Sequence, residues 1–396
     1  MLEKFIMAPP DPILGLTEAF LKDKNTNKIN LGVGVYKDNS NKTPIFNTVK
    51  KAENFLLEKE QSKTYLPISG LPEFCKKVQE LVLGNKNVCI SEERVATVQT
   101  VGGTSALRIF ADLIRTNLGN RKVWLSNPTW ENHSKIFQSA NLETETYPYY
   151  NAETHSLDWD KMLSKVDTLP EGDILLLHGC CHNPTGIDLS IQQWETLADI
   201  IKGRKILPLI DFAYQGLGDG LEEDATGVRK IVEKVPEVFI CSSYSKNFGL
   251  YNERCGALIS VCADKETCEK VLSQIKVTIR TNFSNPPAHG ANVVYTILSS
   301  DDLRKEWEQE VKDMCARIKD MRKLFVEKLR EKGVSQDFSF IEKQKGMFSF
   351  SGLTKEQVLR LRENYSIYIV NSGRINVAGI TTNNIDYLIE AISKVL

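Results

Sequence analysis

A chain of 396 residues exceeds what one hydrophobic core normally serves, roughly 250–300 residues, so more than one domain is expected. Its 51 acidic and 50 basic residues nearly cancel, which leaves no global field to favour nucleic acid or an anionic membrane. The longest apolar runs, 174–177 and 206–210, are far too short to span a bilayer.

The opening stretch holds Pro9, Pro10 and Pro12 and is expected to be an extended arm rather than a helix. It carries neither a long apolar signal core nor an Arg-rich transit pattern, so the cytoplasm is the expected compartment. A short helix is expected over 15–22 and a strand over 29–35. From about residue 43 to 300, apolar runs alternate with helical patterns. Strands are expected at 94–100, 122–126, 173–178, 206–210 and 238–242, with a helix at 105–115. Near-continuous apolar strands between helices imply a mostly parallel sheet covered on both faces, hence an α/β fold. Residues 302–332 then place Leu303, Trp307, Val311, Met314, Ile318, Met321 and Phe325 at spacings of three or four. That pattern predicts one long amphipathic helix, ended near Gly333. After it, 346–352 and 367–378 read as strands of a smaller α+β domain.

Nine cysteines, scattered without repeated spacing, argue against a disulfide framework and for reduced thiols. Cys180 and Cys181 stand between His178 and His182, a grouping able to suggest a metal, yet no CxxC pair or second ligand cluster accompanies it. Buried structural thiols, without a metal, are the expected reading.

In open parallel sheets, ligands bind outside the carboxyl ends of the strands. Four segments change there from apolar to polar. In Thr100-Val-Gly-Gly-Thr104, Gly102 and Gly103 permit close backbone approach, and the following helix N-terminus offers free N–H groups to a phosphate. An ordinary tight turn explains the pair equally well. The absence of GxGxxG and GxxxxGK[ST] lowers dinucleotide and nucleoside-triphosphate readings. His182-Asn-Pro-Thr-Gly186 marks a turn that puts the Asn183 amide beside a strand end, though a plain turn has the same signature. Asp211-Phe-Ala-Tyr214 follows a buried strand directly. A carboxylate there is expensive unless paired, and a protonated ring nitrogen would pair it; a helix N-cap is the alternative. Lys246, within a Ser/Gly-rich turn, suits Schiff-base chemistry once desolvation or a nearby cation lowers its pKa, whereas a generic lysine is a solvated surface group. Arg254, eight residues later, offers a fork for phosphate.

Taken together, SYSKNFGLYNER over 243–254, HNPTG over 182–186 and DFAYQG over 211–216 resemble the class I aspartate aminotransferases. The likeness runs from Asp11-Pro-Ile-Leu-Gly-Leu16 to Gly373-Arg-Ile-Asn-Val-Ala-Gly379. It implies the type I aminotransferase fold: an arm over 1–12, a small domain from 13–42 and 314–396, and a large cofactor-binding domain over 43–313. It also implies a homodimer with two shared active sites and pyridoxal 5'-phosphate as cofactor. By this resemblance Lys246 would carry the cofactor, Asp211 would pair with its ring nitrogen, and Asn183 and Tyr214 would hold its phenolic oxygen. Trp130 would stack on the ring, with His133 behind. Gly102, Gly103, Thr104, Ser243 and Arg254 would surround the phosphate, helped by Tyr65 from the second subunit. Arg374 and the Gly34 backbone would take the substrate α-carboxylate, and Arg280 of the second subunit the distal one.

Two arginines for two carboxylates follow from bidentate recognition. Val35, Lys37, Thr43, Thr104 and Asn285 resemble the aspartate-preferring pattern, while Thr64 stands where asparagine is common. The expected function is therefore ping-pong transfer of an amino group from aspartate to 2-oxoglutarate. An aromatic amino acid aminotransferase with the same cofactor is the alternative, and a non-catalytic ligand-binding protein on the same fold a remote one.

Overall fold

The computed structural model describes residues 1–7 and 14–396. Pro9, Pro10 and Pro12, in the second part of the expected arm over 1–12, lie outside the described residues. The opening residues form one exposed 3-10 turn, Leu2–Lys4.

Seven strands make the central sheet: β1 (Val95–Val101), β2 (Val123–Asn127), β3 (Thr144–Pro148), β4 (Ile174–His178), β5 (Leu207–Phe212), β6 (Val238–Ser243) and β7 (Cys255–Val261). Their order is β1-β7-β6-β5-β4-β2-β3. Only β7 runs antiparallel to its neighbours, β1 and β6. The reason is local: the 244–254 loop between β6 and β7 contains no helix, and a parallel return needs a crossover of a dozen or more residues. β3, with exposed Glu143 and Glu145 beside and within it, is an edge strand kept polar. The central strands β4, β6 and β7 are buried throughout, which is why they read as continuous apolar runs.

Alternate strand residues feed two cores, as the pleat requires. Leu175, Leu177, Ile210 and Ile240 join the larger core, together with the long helix and the C-terminal segment. Ile174, Leu176, Leu209 and Phe239 face the other, under helices α1 (Gly102–Asn117) and α2 (Lys265–Asn282). The predicted long helix is α3 (Asp301–Glu331); Ser300 Oγ caps it by accepting from Leu303 N at 3.4 Å, and Gly333 follows it at φ 75°. Trp307, Val311, Met314, Ile318, Met321 and Phe325 are all buried.

Two expected strands are shorter than the sequence suggested. The strand over 29–35 is only Ile29–Asn30, parallel to Ile367–Tyr368. Beyond it, the carbonyls of Val33 and Val35 accept from Asn376 Nδ2, at 2.7 and 2.9 Å, so they have no strand partner to bond. The run over 367–378 is divided at Gly373, φ 80°, and resumes as Arg374–Asn376, antiparallel to Phe348–Phe350. All nine cysteines are buried free thiols. No helix among the described residues is long and apolar enough to cross a membrane.

Candidate active site

The register aligns His178 of β4 with Asp211 of β5, and Ser243 of β6 with Gly256 of β7. One edge of the sheet thus gathers the carboxyl ends of β1, β2, β4, β5 and β6. A cavity of about 390 Å³ opens there, lined by residues from every motif singled out above. A larger cavity of about 480 Å³ lies beside α3, between Gly220 and Lys319, away from these strand ends. It brings together none of the predicted groups.

Lys246 stands in the β6–β7 loop, anchored on both sides by its neighbour. Asn247 Nδ2 donates to Gln215 O at 3.1 Å, and the Asn247 carbonyl accepts from Trp307 Nε1 of α3 at 2.7 Å. Phe248 stacks on the same Trp307 at 4.3 Å. Lys246 Nζ lies 4.6 Å from the centroid of the Tyr214 ring. Burial lowers Lys246 to about 8 against the opposing charge of Asp211, and Arg254 adds to the fall. A nucleophilic neutral amine is therefore a minor form, about a tenth, at pH 7 and half the population near pH 8.

Asp211 lines the same cavity, and its Oδ2 accepts from His133 Nε2 at 2.9 Å. His133 Nδ1 is 2.7 Å from Thr129 Oγ1, so the hydroxyl donates when Nε2 carries the proton. Burial raises the Asp211 carboxyl, but the His133 hydrogen bond and the neighbouring histidine and lysine charges outweigh it and hold the group below its usual value. The helix N-cap alternative fails, because Asp211 is inside β5.

Asn183 spans two functions. Its Nδ2 donates to Tyr214 Oη at 3.5 Å, and its Oδ1 accepts from Arg374 Nη1 at 3.2 Å. Burial pushes the Tyr214 phenol up. Arg374 also donates through Nη2 to Gly32 O at 2.6 Å and lies 4.1 Å over the Phe348 ring. Its Nε is buried with no hydrogen-bond partner among the described residues. Gly34 lines the cavity where a Cβ would come within 2.6 Å of Phe348 Cζ, so only backbone is accommodated. Trp130 closes another wall, its indole edge-on to His133 at 5.2 Å.

At the far end, Gly103 and Thr104 open α1, facing Ser243, Ser245 and Arg254. A Cβ on Gly103 would stand 3.2 Å from Ser243 Cβ, and one on Gly102 would stand 2.5 Å from Arg254 Nη2. Small residues thus leave a cradle of free helix N–H groups, hydroxyls and one guanidinium, a donor set for a phosphate dianion. With Asp211 opposite and Lys246 between, the cavity fits a flat ligand carrying an anion at one end and a cation at the other. Tyr65, 88% exposed, and Arg280, also exposed, do not line it.

Ser245 and Tyr251 also line the cavity without having been singled out. Both belong to the lysine motif, which was the available signal. Arg254 Nη1 donates to Ser245 Oγ at 3.4 Å, and Tyr251 Oη accepts from Tyr36 N at 3.0 Å.

A family model described as aminotransferase class I and II matches residues 26–392. The chain belongs to the class I and II aminotransferases. Within this family it is 56% identical to an aspartate aminotransferase of Escherichia coli, across the whole of both chains. It is 46% identical to an aromatic-amino-acid aminotransferase of Pseudomonas aeruginosa, covering 99% of this chain and 98% of that one. Among solved structures, an aromatic-amino-acid aminotransferase from Burkholderia pseudomallei, covalently bound to pyridoxal phosphate, superposes with a TM-score of 0.98 at 46% identity. That match covers 100% of this chain and 99% of that one. The aminotransferase fold and the chemistry of the cavity thus agree.

Proposed function

We propose that this aminotransferase transfers the amino group of L-aspartate to 2-oxoglutarate, with pyridoxal 5'-phosphate as its cofactor. The carrying observation is the convergence of a neutralisable lysine, a buried carboxylate and an anion cradle on one cavity. The whole-length likeness to an aspartate aminotransferase supports the substrate assignment.

Bound there, pyridoxal phosphate supplies an electron sink for the electrons released at the amino acid Cα. Asp211, kept ionised by His133, holds the proton on the ring nitrogen that makes the sink effective. Asn183 and Tyr214 hold the phenolic oxygen, and Trp130 covers the ring. Gly102, Gly103, Thr104, Ser243 and Arg254 form the phosphate end. Lys246 would hold the cofactor through Nζ, and the same amine would serve as the base that moves the proton from the substrate Cα. Arg374 orients the α-carboxylate with the Gly34 backbone beside it. Arg280 and Tyr65 act from a second copy of the chain, consistent with their exposure on the single chain. On this reading the enzyme is a homodimer, and the cytoplasm is its proposed compartment. The domain division 13–42 with 314–396 against 43–313 then places Arg374 and Lys246 on opposite sides of the substrate.

The test is the visible spectrum of the purified protein before and after aspartate, with no keto acid present. A cofactor band that shifts on aspartate supports the first half-reaction. A protein that stays colourless after incubation with pyridoxal phosphate would sink the reading. The likeness to aromatic enzymes favours a second reading, broad specificity; an equal shift and an equal turnover with phenylalanine would select it.

A further inference from the structure

The cofactor reading leaves one buried side chain near the site without a task. His178 is only 8% exposed, yet neither ring nitrogen has a hydrogen-bond partner among the described residues. Its ring lies 5.3 Å from that of His133 and 4.1 Å from that of His182. His182 is fully engaged, with Nε2 at 2.9 Å from Ser126 Oγ and Nδ1 at 2.9 Å from Thr185 Oγ1. Buried polar groups are normally bonded, so His178 requires an explanation.

We propose that His133, His178 and Asp211 form a binding site for a divalent transition-metal ion, of the zinc or copper kind, in the chain free of its cofactor. One donor atom from each lies within 4.8 Å of the others. Donors around tetrahedral zinc stand about 3.3 Å apart, so closure asks for side-chain shifts on the order of one ångström. The His133 and Asp211 donors are already 2.9 Å apart. Two imidazoles and one carboxylate suit zinc, copper or iron, whereas magnesium and calcium take oxygen donors. Thr129 supplies the outer support such a histidine normally has, 2.7 Å from His133 Nδ1. Asp211 faces the cavity, which leaves a coordination position open for water.

The proton balance is simple. On binding, His133 Nε2 loses the proton it donates to Asp211; in the neutral ring that proton moves to Nδ1, and the Thr129 hydroxyl turns from donor to acceptor. His178, with both ring nitrogens unbonded among the described residues, gives a lone pair from its neutral ring without releasing a proton. The bound cation would neutralise the carboxylate that the proposed function assigns to the cofactor's ring nitrogen, so metal and cofactor exclude each other. Only that exclusion rests on the proposed function; metal binding rests on the three side chains.

The experiment titrates the full chain, stripped of cofactor, with zinc by calorimetry and with copper by electron paramagnetic resonance. One saturable zinc per chain is expected, with nitrogen superhyperfine splitting in the copper spectrum. His178→Leu should abolish saturable binding, with His178→Phe as the second variant if the first does not fold. Thr129→Val should weaken it roughly ten- to hundredfold. Cys180, Cys181 and Asp224 also cluster, so Cys181→Ser is the control and should leave binding unchanged. No saturable zinc, or zinc that survives loss of His178 or disappears with Cys181, overturns the proposal. Zinc bound as described but indifferent to pyridoxal phosphate keeps the site and removes the cofactor assignment instead.

Discussion

Replacing Lys246 by methionine is expected to abolish transamination and, in the cofactor-free chain, to stabilise the fold. Burial takes the ammonium from an ordinary 10.5 to about 8. At about 1.36 kcal/mol per unit, the charged form costs the fold roughly 3 kcal/mol at neutral pH, a figure that already includes the attraction of Asp211. Methionine has a similar reach, fills the space with apolar atoms and carries no charge to desolvate. The gain at pH 7 should therefore be on the order of 2–3 kcal/mol, a large share of the stability of an ordinary domain.

The pH dependence separates this cause from simple packing. The folded pKa lies below the unfolded one, so between about 8 and 10.5 the unfolded lysine holds a proton that the folded lysine has lost. The stability of the unsubstituted protein rises with pH through that window, and the advantage of methionine shrinks toward zero by its upper end. Guanidinium unfolding of both cofactor-free proteins at pH 7, 9 and about 10.5 measures the difference. Protein concentration must be held equal, because assembly adds a concentration-dependent term. Equal stabilities at pH 7, or a gap that stays constant with pH, would refute the argument.

Other substitutions test other joints of the site. Arg374→Leu removes the proposed α-carboxylate grip and strands the Asn183 and Gly32 oxygens; kcat/KM for aspartate should fall roughly a hundred- to thousandfold, and near-normal steady-state kinetics would remove Arg374 from the substrate site. Arg280→Asp should depress activity on aspartate far more than on alanine, and an unchanged ratio would dissociate Arg280 from the distal carboxylate. Trp307→Phe keeps the stack on Phe248 but leaves the buried Asn247 carbonyl without its donor. A loss of about 1–3 kcal/mol is expected from the shift in denaturation midpoint; no loss would mean that the carbonyl finds another partner.

The parts of the fold legible in the sequence are those with one dominant environment. β4 and β6 are buried on both faces, and α3 shows a single apolar stripe, so their patterns are unambiguous. β7 is equally apolar, but nothing in its composition states that it returns antiparallel between β1 and β6; the loop before it decides that. The strand expected over 29–35 failed for a non-local reason, since Asn376, far along the chain, takes its carbonyls. The site followed the same rule. Asp211, Asn183 and Lys246 announce themselves at strand ends, while the unbonded state of His178 depends on the ends of β4 and β5 and on the helix bearing His133, and no local pattern contains it.

Arg374 would join the proposed substrate and cofactor halves of the cavity. Of its nitrogens, Nε alone has no partner among the described residues, while Nη1 gives one hydrogen to Asn183 and Nη2 one to Gly32. A carboxylate can take Nε without breaking a protein hydrogen bond. A bidentate grip adds a second N–H, and Nη1 and Nη2 each keep one hydrogen beyond the bond they already make. The 3.2 Å bond to Asn183 is longer than the 2.6 Å bond to Gly32, so it is the more easily perturbed of the two when a carboxylate binds. Asn183 Nδ2 also reaches Tyr214, whose ring lies beside Lys246 Nζ. Carboxylate binding at Arg374 is thereby felt at the phenol and the lysine through one amide. Asn183→Ala should accordingly reduce the effect of a dicarboxylate inhibitor on the absorption of the bound cofactor, even at saturation; an undiminished spectral response would show that the amide carries no such coupling.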